Sequence, residues 1–238
     1  MEVIVLAGGL GTRLRSVVSE VPKCMAPVNG EPFLYYLLTA LSHYSVQKVV
    51  LSVGFKREYI EDWVREHETE FPFDIEFAVE DVPLGTGGGI RLALQSCTSD
   101  AICVMNGDTF FDINLDQLQM AHKHEGRILS MAVKHLVDFD RYGTVQFDDN
   151  GTVIGFNEKR YCEDGYINAG VYFVSDRNLL KDMPENFSFE TDFLQPKASE
   201  GLVQAYVSDG YFIDIGIPQD YAKANEDFKD FEVWIKRK

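Results

Sequence analysis

Basic residues are scarce in this sequence. Lys and Arg number 22 against 38 Asp and Glu over 238 residues, a formal net charge of −16. Nucleic acid and anionic membrane both need a clustered positive surface, so neither is expected as the main partner. The deficit sharpens another question: if the ligand is a phosphate ester, the few cations must gather where it binds. Long hydrophobic runs are lacking too. The longest apolar stretches reach about a third of the ~20 residues that span a bilayer, so no transmembrane helix is expected. Met1-Glu2-Val3-Ile4-Val5-Leu6 has no basic region and runs straight into glycines, which argues against a signal peptide. The 4 cysteines (Cys24, Cys97, Cys103, Cys162) form no CxxC pair, and their scatter fits neither a zinc site nor a disulfide scaffold. They are read as reduced thiols of a cytoplasmic protein. Pro/Ser-rich linkers and internal repeats are missing, and 45% hydrophobic with 25% charged positions excludes a disordered or coiled-coil chain.

What is present is alternation. Glu2–Leu6, Lys48–Val53, Asp74–Val79 and Ala101–Met105 read as strands, separated by helical stretches at Phe33–Leu41, Tyr59–His67 and Ile90–Gln95. This βαβα order predicts an α/β fold with a mixed, mainly parallel central sheet and helices on both faces. After Asp112 the pattern changes. Asp116–Glu125 is still helical, but Ile128–Val133, Gly143–Phe147, Val153–Phe156, Gly165–Val174 and Leu202–Val207 read as strands, and Pro218–Phe228 as a closing helix. The Asp149-Asn150-Gly151 turn among them marks inserted antiparallel strands. A single domain over 1–238 is expected, with a first half to about 112 and a second from about 113.

Ligands of such sheets bind beyond the carboxyl ends of the strands. Those ends carry Ala7-Gly8-Gly9-Leu10-Gly11-Thr12-Arg13, Pro83-Leu84-Gly85-Thr86-Gly87-Gly88-Gly89, Asn106-Gly107-Asp108 and Phe212-Ile213-Asp214-Ile215-Gly216. Glycines in the first loop can present backbone N–H groups to a phosphate chain. The loop lacks the third glycine of the dinucleotide fingerprint and the Gly-Lys-Ser/Thr of a P-loop, so alone it is equally a tight connection. Arg13 shifts the balance, because a guanidinium there suits bidentate oxyanion binding, and Lys23 adds a second cation.

Here the chain resembles a known family. Leu6-Ala7-Gly8-Gly9-Leu10-Gly11-Thr12-Arg13-Leu14 and Pro22-Lys23-Cys24-Met25-Ala26-Pro27-Val28 look like the signature of the sugar-1-phosphate nucleotidyltransferases. The likeness continues through Pro83–Gly88, Asn106–Asp108, Phe156–Lys159, Asn168–Tyr172 and Phe212–Pro218, in order along nearly the whole chain. It implies a Rossmann-like nucleotidyltransferase domain, with a nucleotide-binding first half and a sugar-binding second half. It also implies attack of a sugar 1-phosphate oxygen on the α-phosphorus of a nucleoside triphosphate, with loss of pyrophosphate. By resemblance, Arg13 grips the triphosphate, Lys23 lies over the reacting phosphates, and Asp108 and Asp214 hold Mg²⁺. Lys159 takes the sugar phosphate, Glu158 and Asn168 face the sugar, and Gly143 supplies a backbone contact. Leu6, Ala7, Gly8, Gly9, Gly11, Thr12, Gly85 and Thr86 complete the nucleotide site.

The chemistry agrees with these roles. Such transfers need positioning and charge neutralisation rather than a general base, because the nucleophile is already an anion. Magnesium takes one or two carboxylates plus phosphate oxygens and water. Each residue also has a plainer reading. Asp108 could be a cap or turn former, Asp214 could serve the Gly216 turn, Lys159-Arg160 could be a solvated pair, and Asn168 could be a turn amide. Asp112 and Asp116 are expected as caps or turn residues. His122 and His124 are expected on the surface, since their spacing puts them on different helix faces. Cys24 lacks a local base for a nucleophilic role.

Glu80 precedes the Pro83–Gly89 turn, where the family reads the base edge. A carboxylate only accepts hydrogen bonds, and guanine offers two adjacent donors, so GTP is favoured over UTP. The length and the Phe212–Pro218 ending resemble the D-glycero-α-D-manno-heptose 1-phosphate guanylyltransferase branch. Mannose-1-phosphate guanylyltransferases, many with a C-terminal β-helix, and N-acetylmuramate 1-phosphate uridylyltransferases stay open as alternatives. So does a catalytically silent nucleotide-sugar sensor. Ile217, where many relatives have threonine, and Gly89, where alanine is usual, depart from the pattern. GTP and a sugar 1-phosphate are the expected partners, and a homodimer stays open.

Overall fold

Side-chain alternation along the first strand, β1 (Glu2–Leu6), sets the layering: Val3 and Val5 enter one core, Ile4 the other, and all three are fully buried. A strand with two dry faces needs cover on both sides. In the computed structural model, residues 1–9, 14, 17–18, 20–99, 101–231 and 235 are described. After β1 come β2 (Pro27–Val28), β3 (Glu31–Pro32), α1 (Phe33–Leu41), β4 (Lys48–Val53), α2 (Arg57–His67) and β5 (Asp74–Val79). Then follow α3 (Gly85–Leu94), β6 (Ile102–Asn106), β7 (Thr109–Phe111), α4 (Leu115–Glu125) and β8 (Leu129–Phe139). The chain continues through β9 (Val145–Phe147), β10 (Val153–Phe156), β11 (Cys162–Val174) and a π-helical turn at Phe189–Leu194. It closes with α5 (Gln195–Ser199), β12 (Val203–Val207), β13 (Phe212–Asp214) and α6 (Pro218–Asp227).

A 7-stranded sheet, ordered β12-β8-β11-β6-β1-β4-β5, forms the frame. β1 pairs in parallel with β4 and β6, in registers Val3↔Val49 and Val3↔Cys103, and β5 extends the parallel run beyond β4. β11 alone opposes the rest, lying antiparallel to both β6 and β8, while β12 is parallel to β8. The fold is therefore the α/β architecture expected, with both halves of the chain in one sheet. The chain builds outward from β1 through β4 and β5, then returns to β6 on the other side of β1. That reversal opens a crevice at the carboxyl ends of β1 and β6.

Helices α1, α2, α4 and α6 cover one face, and α3 with 189–199 covers the other. In α1 the helical spacing of Phe33, Leu34, Leu37, Leu38 and Leu41 buries one continuous stripe, each side chain contributing about 1.5–3 kcal/mol. Helix α2 buries only Ile60 and Val64 and turns its acids outward. Asn114 caps α4 by accepting from the Gln117 N–H at 3.0 Å, and Gly126 ends it with a left-handed backbone; neither Asp112 nor Asp116 is the N-cap. Asp148 Oδ1 accepts from the N–H groups of Asn150 and Thr152, which explains the turn at Asp149-Asn150-Gly151.

Four differences from the sequence reading matter. Helix α3 begins at Gly85, five residues before the expected Ile90, so most of the glycine-rich turn is helical. β8 runs to Phe139 because it tracks the long β11 past the edge of the core. A small β7–β13 ribbon, unexpected from such short runs, pairs Asp214 with Thr109. His122 is only 2% exposed, contrary to a surface position: its Nδ1 lies 2.8 Å from Ser130 Oγ and its Nε2 2.9 Å from Ser175 Oγ. His124 is exposed as expected. Among the described residues no helix is long and apolar enough to cross a membrane.

Candidate active site

The crevice between β1 and β6 is a cleft of about 390 Å³. Leu6, at the end of β1, reaches it with Ala7 and Gly9, and Asn106, at the end of β6, with Gly107 and Asp108. Lys23 and Gly216 lie between these ends, and Thr86 and Glu190 form the remaining wall. The two strand ends are tied together: the Gly107 N–H donates to the Leu6 carbonyl at 3.0 Å. A Cβ on Gly107 would sit 2.6 Å from that same oxygen, so only glycine allows this approach.

Asp108 and Asp214, far apart in sequence, converge on one cation. Lys23 Nζ donates to Asp108 Oδ2 at 2.5 Å and to Asp214 Oδ1 at 3.1 Å. The β7–β13 ribbon makes the meeting possible by setting Asp214 opposite the residue after Asp108, and the Ile215 N–H donates to the Asp108 carbonyl. Asp214 is oriented further by the Gly216 N–H, which donates to its Oδ1 at 2.7 Å. A Cβ on Gly216 would come within 2.8 Å of that oxygen and 2.9 Å of Lys23 Nζ. Lys23 is 10% exposed, Asp214 17% and Asp108 37%, so Asp108 is the carboxylate most open to the cleft. Two carboxylates this close repel each other unless a cation joins them, and the ammonium of Lys23 fills that position. The donor set fits a divalent ion whose other ligands are phosphate oxygens and water. Among the described residues no third His, Cys, Asp or Glu joins the pair. Cys24, next to Lys23, is no nucleophile: burial first, and then the Asp108 charge, push its thiol up to about 12.

The turn at Pro83–Gly89 works differently from an open phosphate cradle. The segment 185–189 lies directly on it. The Phe187 N–H donates to the Leu84 carbonyl at 3.1 Å, and the Gly87 N–H to the Phe187 carbonyl at 3.0 Å. A Cβ on Gly85 would meet the Phe187 carbonyl at 2.5 Å, and one on Gly88 the Glu185 carbonyl at 2.5 Å. On Gly87 it would overlap the Phe187 ring. These glycines admit a second segment. Glu80 sits behind them, its Oε1 3.2 Å from Ser52 Oγ and its Oε2 accepting from the Leu84 N–H at 3.1 Å. Gly8 and Gly89 leave the room its carboxylate occupies.

Gly143, Glu158, Lys159 and Asn168 do not line the cleft: Gly143 precedes β9, Glu158 and Lys159 lie in the loop between β10 and β11, and Asn168 is on β11. A Cβ on Gly143 would lie 2.5 Å from the Asn157 carbonyl, and Thr144 bridges to Ile167, the neighbour of Asn168. Glu158 and Lys159 are exposed. Asn168 has the plainer role as well: its Oδ1 accepts from the Gly170 N–H at 3.0 Å and its Nδ2 donates to Tyr172 Oη at 2.7 Å. Gly11, Thr12 and Arg13 lie outside the described residues. Two groups escaped the sequence reading. Arg141 pairs with Asp220 beside the site; burial opposes its charge, but Asp220, with Tyr142 and Asp214 nearby, outweighs that and holds it protonated. Glu190 falls in a stretch without period or motif.

Residues 2–230 match the family model described as nucleotidyl transferase. The chain belongs to the nucleotidyl transferase family. It is 42% identical to the D-glycero-α-D-manno-heptose 1-phosphate guanylyltransferase of Aneurinibacillus thermoaerophilus, over 97% of this chain and 100% of that one. It is 31% identical to the mannose-1-phosphate guanylyltransferase of Mycobacterium tuberculosis, over 95% of this chain but 64% of that protein. Among solved structures, HddC from Yersinia pseudotuberculosis superposes with a TM-score of 0.86 at 39% identity, covering 96% of this chain and 99% of that one. In this nucleotidyl transferase, the β1–β6 crevice and the Lys23-centred carboxylate pair therefore occupy one site.

Proposed function

We propose that this chain transfers a guanylyl group from GTP to a sugar 1-phosphate, with D-glycero-α-D-manno-heptose 1-phosphate as the acceptor. The products are a GDP-sugar and pyrophosphate. One observation carries the reaction: two carboxylates and a lysine share a single cation position at the strand-order reversal. The similarity over the full length of a heptose 1-phosphate guanylyltransferase favours that sugar over mannose.

The chemistry joins two anions. An oxygen of the sugar phosphate forms a bond to the α-phosphorus of GTP, and the bond to the pyrophosphate oxygen breaks. No base is required, so the protein contributes alignment and positive charge. Asp108 and Asp214 would hold Mg²⁺, which would neutralise charge at the α-phosphate. Lys23 is placed to leave the carboxylates and follow the phosphates, with Arg13 gripping the triphosphate. Lys159 receives the sugar phosphate, and Glu158, Asn168 and Gly143 border the sugar. Glu80, already fixed by Ser52 and Leu84, retains lone pairs for the N1–H and amino group of guanine. Nucleotide binding then belongs to the first half of the chain and sugar binding to the second. A cytoplasmic location fits these soluble substrates.

Pyrophosphate release across four nucleoside triphosphates and a panel of sugar 1-phosphates, with and without magnesium, tests the reading. Release is expected with GTP and the heptose phosphate and to depend on magnesium. Glu80→Gln should lower the GTP/UTP preference. No release with any pair would reject the enzyme, and an unchanged preference would remove Glu80 as the base reader.

A further inference from the structure

Glu190 stands in the cleft wall opposite the end of β6, half-buried, in the first turn of Phe189–Leu194. Its orientation is fixed. Thr86 Oγ1 accepts from the Phe189 N–H at 2.9 Å, so its own proton is directed to Glu190 Oε2, also at 2.9 Å. Ser188 Oγ donates to the same oxygen at 3.3 Å. Both bonds end on Oε2, which leaves Oε1 to accept from a ligand. Neutral hydroxyls hold this carboxylate in place, so it is not committed to neutralising a cation. It cannot serve the phosphates, which it repels.

Its neighbours say which part of the reactants it meets. Burial and then the Glu190 charge raise the Tyr172 phenol, and that phenol accepts from Asn168 Nδ2. Tyr172 also packs edge-on against Phe189 at 5.2 Å. Glu190 thus lies on the side of the cleft backed by Tyr172 and, behind it, Asn168, both on the second half of the chain. A carboxylate matches a pair of adjacent hydroxyls, which donate where it accepts.

We propose that Glu190 is a specificity-determining residue whose carboxylate accepts hydrogen bonds from adjacent hydroxyls of the incoming sugar 1-phosphate. This rests on the reading of the chain as a sugar-1-phosphate guanylyltransferase. The Thr86–Glu190 bond also links the helix behind the nucleotide wall to the acceptor side, so acceptor selection and the packing of 185–190 on α3 are one structural unit.

The test compares the full chain with Glu190→Gln, which keeps shape and removes charge, after equal thermal unfolding confirms both are folded. Kinetics use GTP with D-glycero-α-D-manno-heptose 1-phosphate, mannose 1-phosphate and the 2-deoxy and 3-deoxy forms of the latter. KM for the hydroxylated sugars should rise about ten-fold or more in the variant, the loss expected for charge-assisted hydrogen bonds, while KM for GTP stays within about two-fold. The variant should also discriminate less against the deoxy sugars. An unchanged KM for the sugar would overturn the assignment. So would a rise confined to GTP and absent with 2′-deoxyGTP, which would place the carboxylate on the ribose. A wild-type protein that releases no pyrophosphate with any of these sugars overturns the underlying reading instead, whereas normal wild-type turnover with an indifferent Gln variant removes only Glu190.

Discussion

Gly87→Ala separates the two roles open to a glycine-rich helix start. Intrinsic propensity favours alanine inside a helix by about 1 kcal/mol, so Gly87 as a mere flexible link predicts a more stable protein. The packing predicts the opposite. A Cβ there would lie 2.6 Å from Phe187 Cζ, whereas carbon atoms pack at about 3.5–4.0 Å, so the ring must retreat by about 1 Å or more. Phe187 is 4% exposed and cannot move freely. Its N–H and carbonyl are both bonded to the turn, to Leu84 and Gly87. Overpacking costs roughly 1–3 kcal/mol and each weakened hydrogen bond about 1, which outweighs the helical gain. The net expectation is a loss of about 2–4 kcal/mol, or roughly 5–15 °C in Tm for a chain of this size. Thermal unfolding followed by circular dichroism reads it, with Gly9→Ala as control, since no described residue lies within 4 Å of a Cβ there. A Tm equal to or above wild type for Gly87→Ala, with the control unchanged, would refute the seat assigned to Phe187.

Three further outcomes are expected. Asp108→Asn and Asp214→Asn should each lower kcat by about a hundred-fold or more, a loss of several kcal/mol of charge stabilisation, while circular dichroism stays native; near-normal turnover would reject the metal role. Burial, with Lys123 adding to it, depresses the His122 pKa from its usual 6.5, so the fold keeps the ring neutral while the unfolded chain takes up a proton. Stability should therefore fall as pH drops through about 6.5 and level off below the folded value; His122→Gln should flatten that part of the Tm–pH curve, and an unaltered curve would exclude it. Burial likewise pushes the thiols of Cys24, Cys97 and Cys103 up to about 12, so iodoacetamide at pH 8 should label Cys162 alone in the folded protein, as mass spectrometry of the peptides would show.

The strands β1, β4 and β5 were legible because short β-branched runs between helical periods admit little else, and their shared direction followed from the crossovers. Lys23, Asp108 and Asp214 were legible as chemistry, yet nothing in the sequence says that a three-residue ribbon would bring the aspartates onto one ammonium. The glycines at 85–89 misled in an instructive way. Lack of a side chain signals close approach but not by what, and here the visitor is Phe187 as well as any ligand. The region from Asp176 to Glu200 gave no period because its π-helical turn depends on Thr86, a partner about a hundred residues away. His122 read as a surface residue because helical spacing reveals a face, but not that two serines wait behind it.

The lone reversed strand has a mechanical meaning. β11 is laced to β6 on one edge and to β8 on the other, welding the two halves of the chain into a single plate. Reactants cannot be enclosed by swinging two lobes together, since that would tear the plate along its middle. Accommodation has to come from side chains on its rim, because even the 185–189 strip is pinned by its backbone to Leu84 and Gly87. An enzyme built this way keeps the ends of β1 and β6 at constant spacing, tied by the Gly107 N–H to the Leu6 carbonyl, and leaves movement to the side chains they carry.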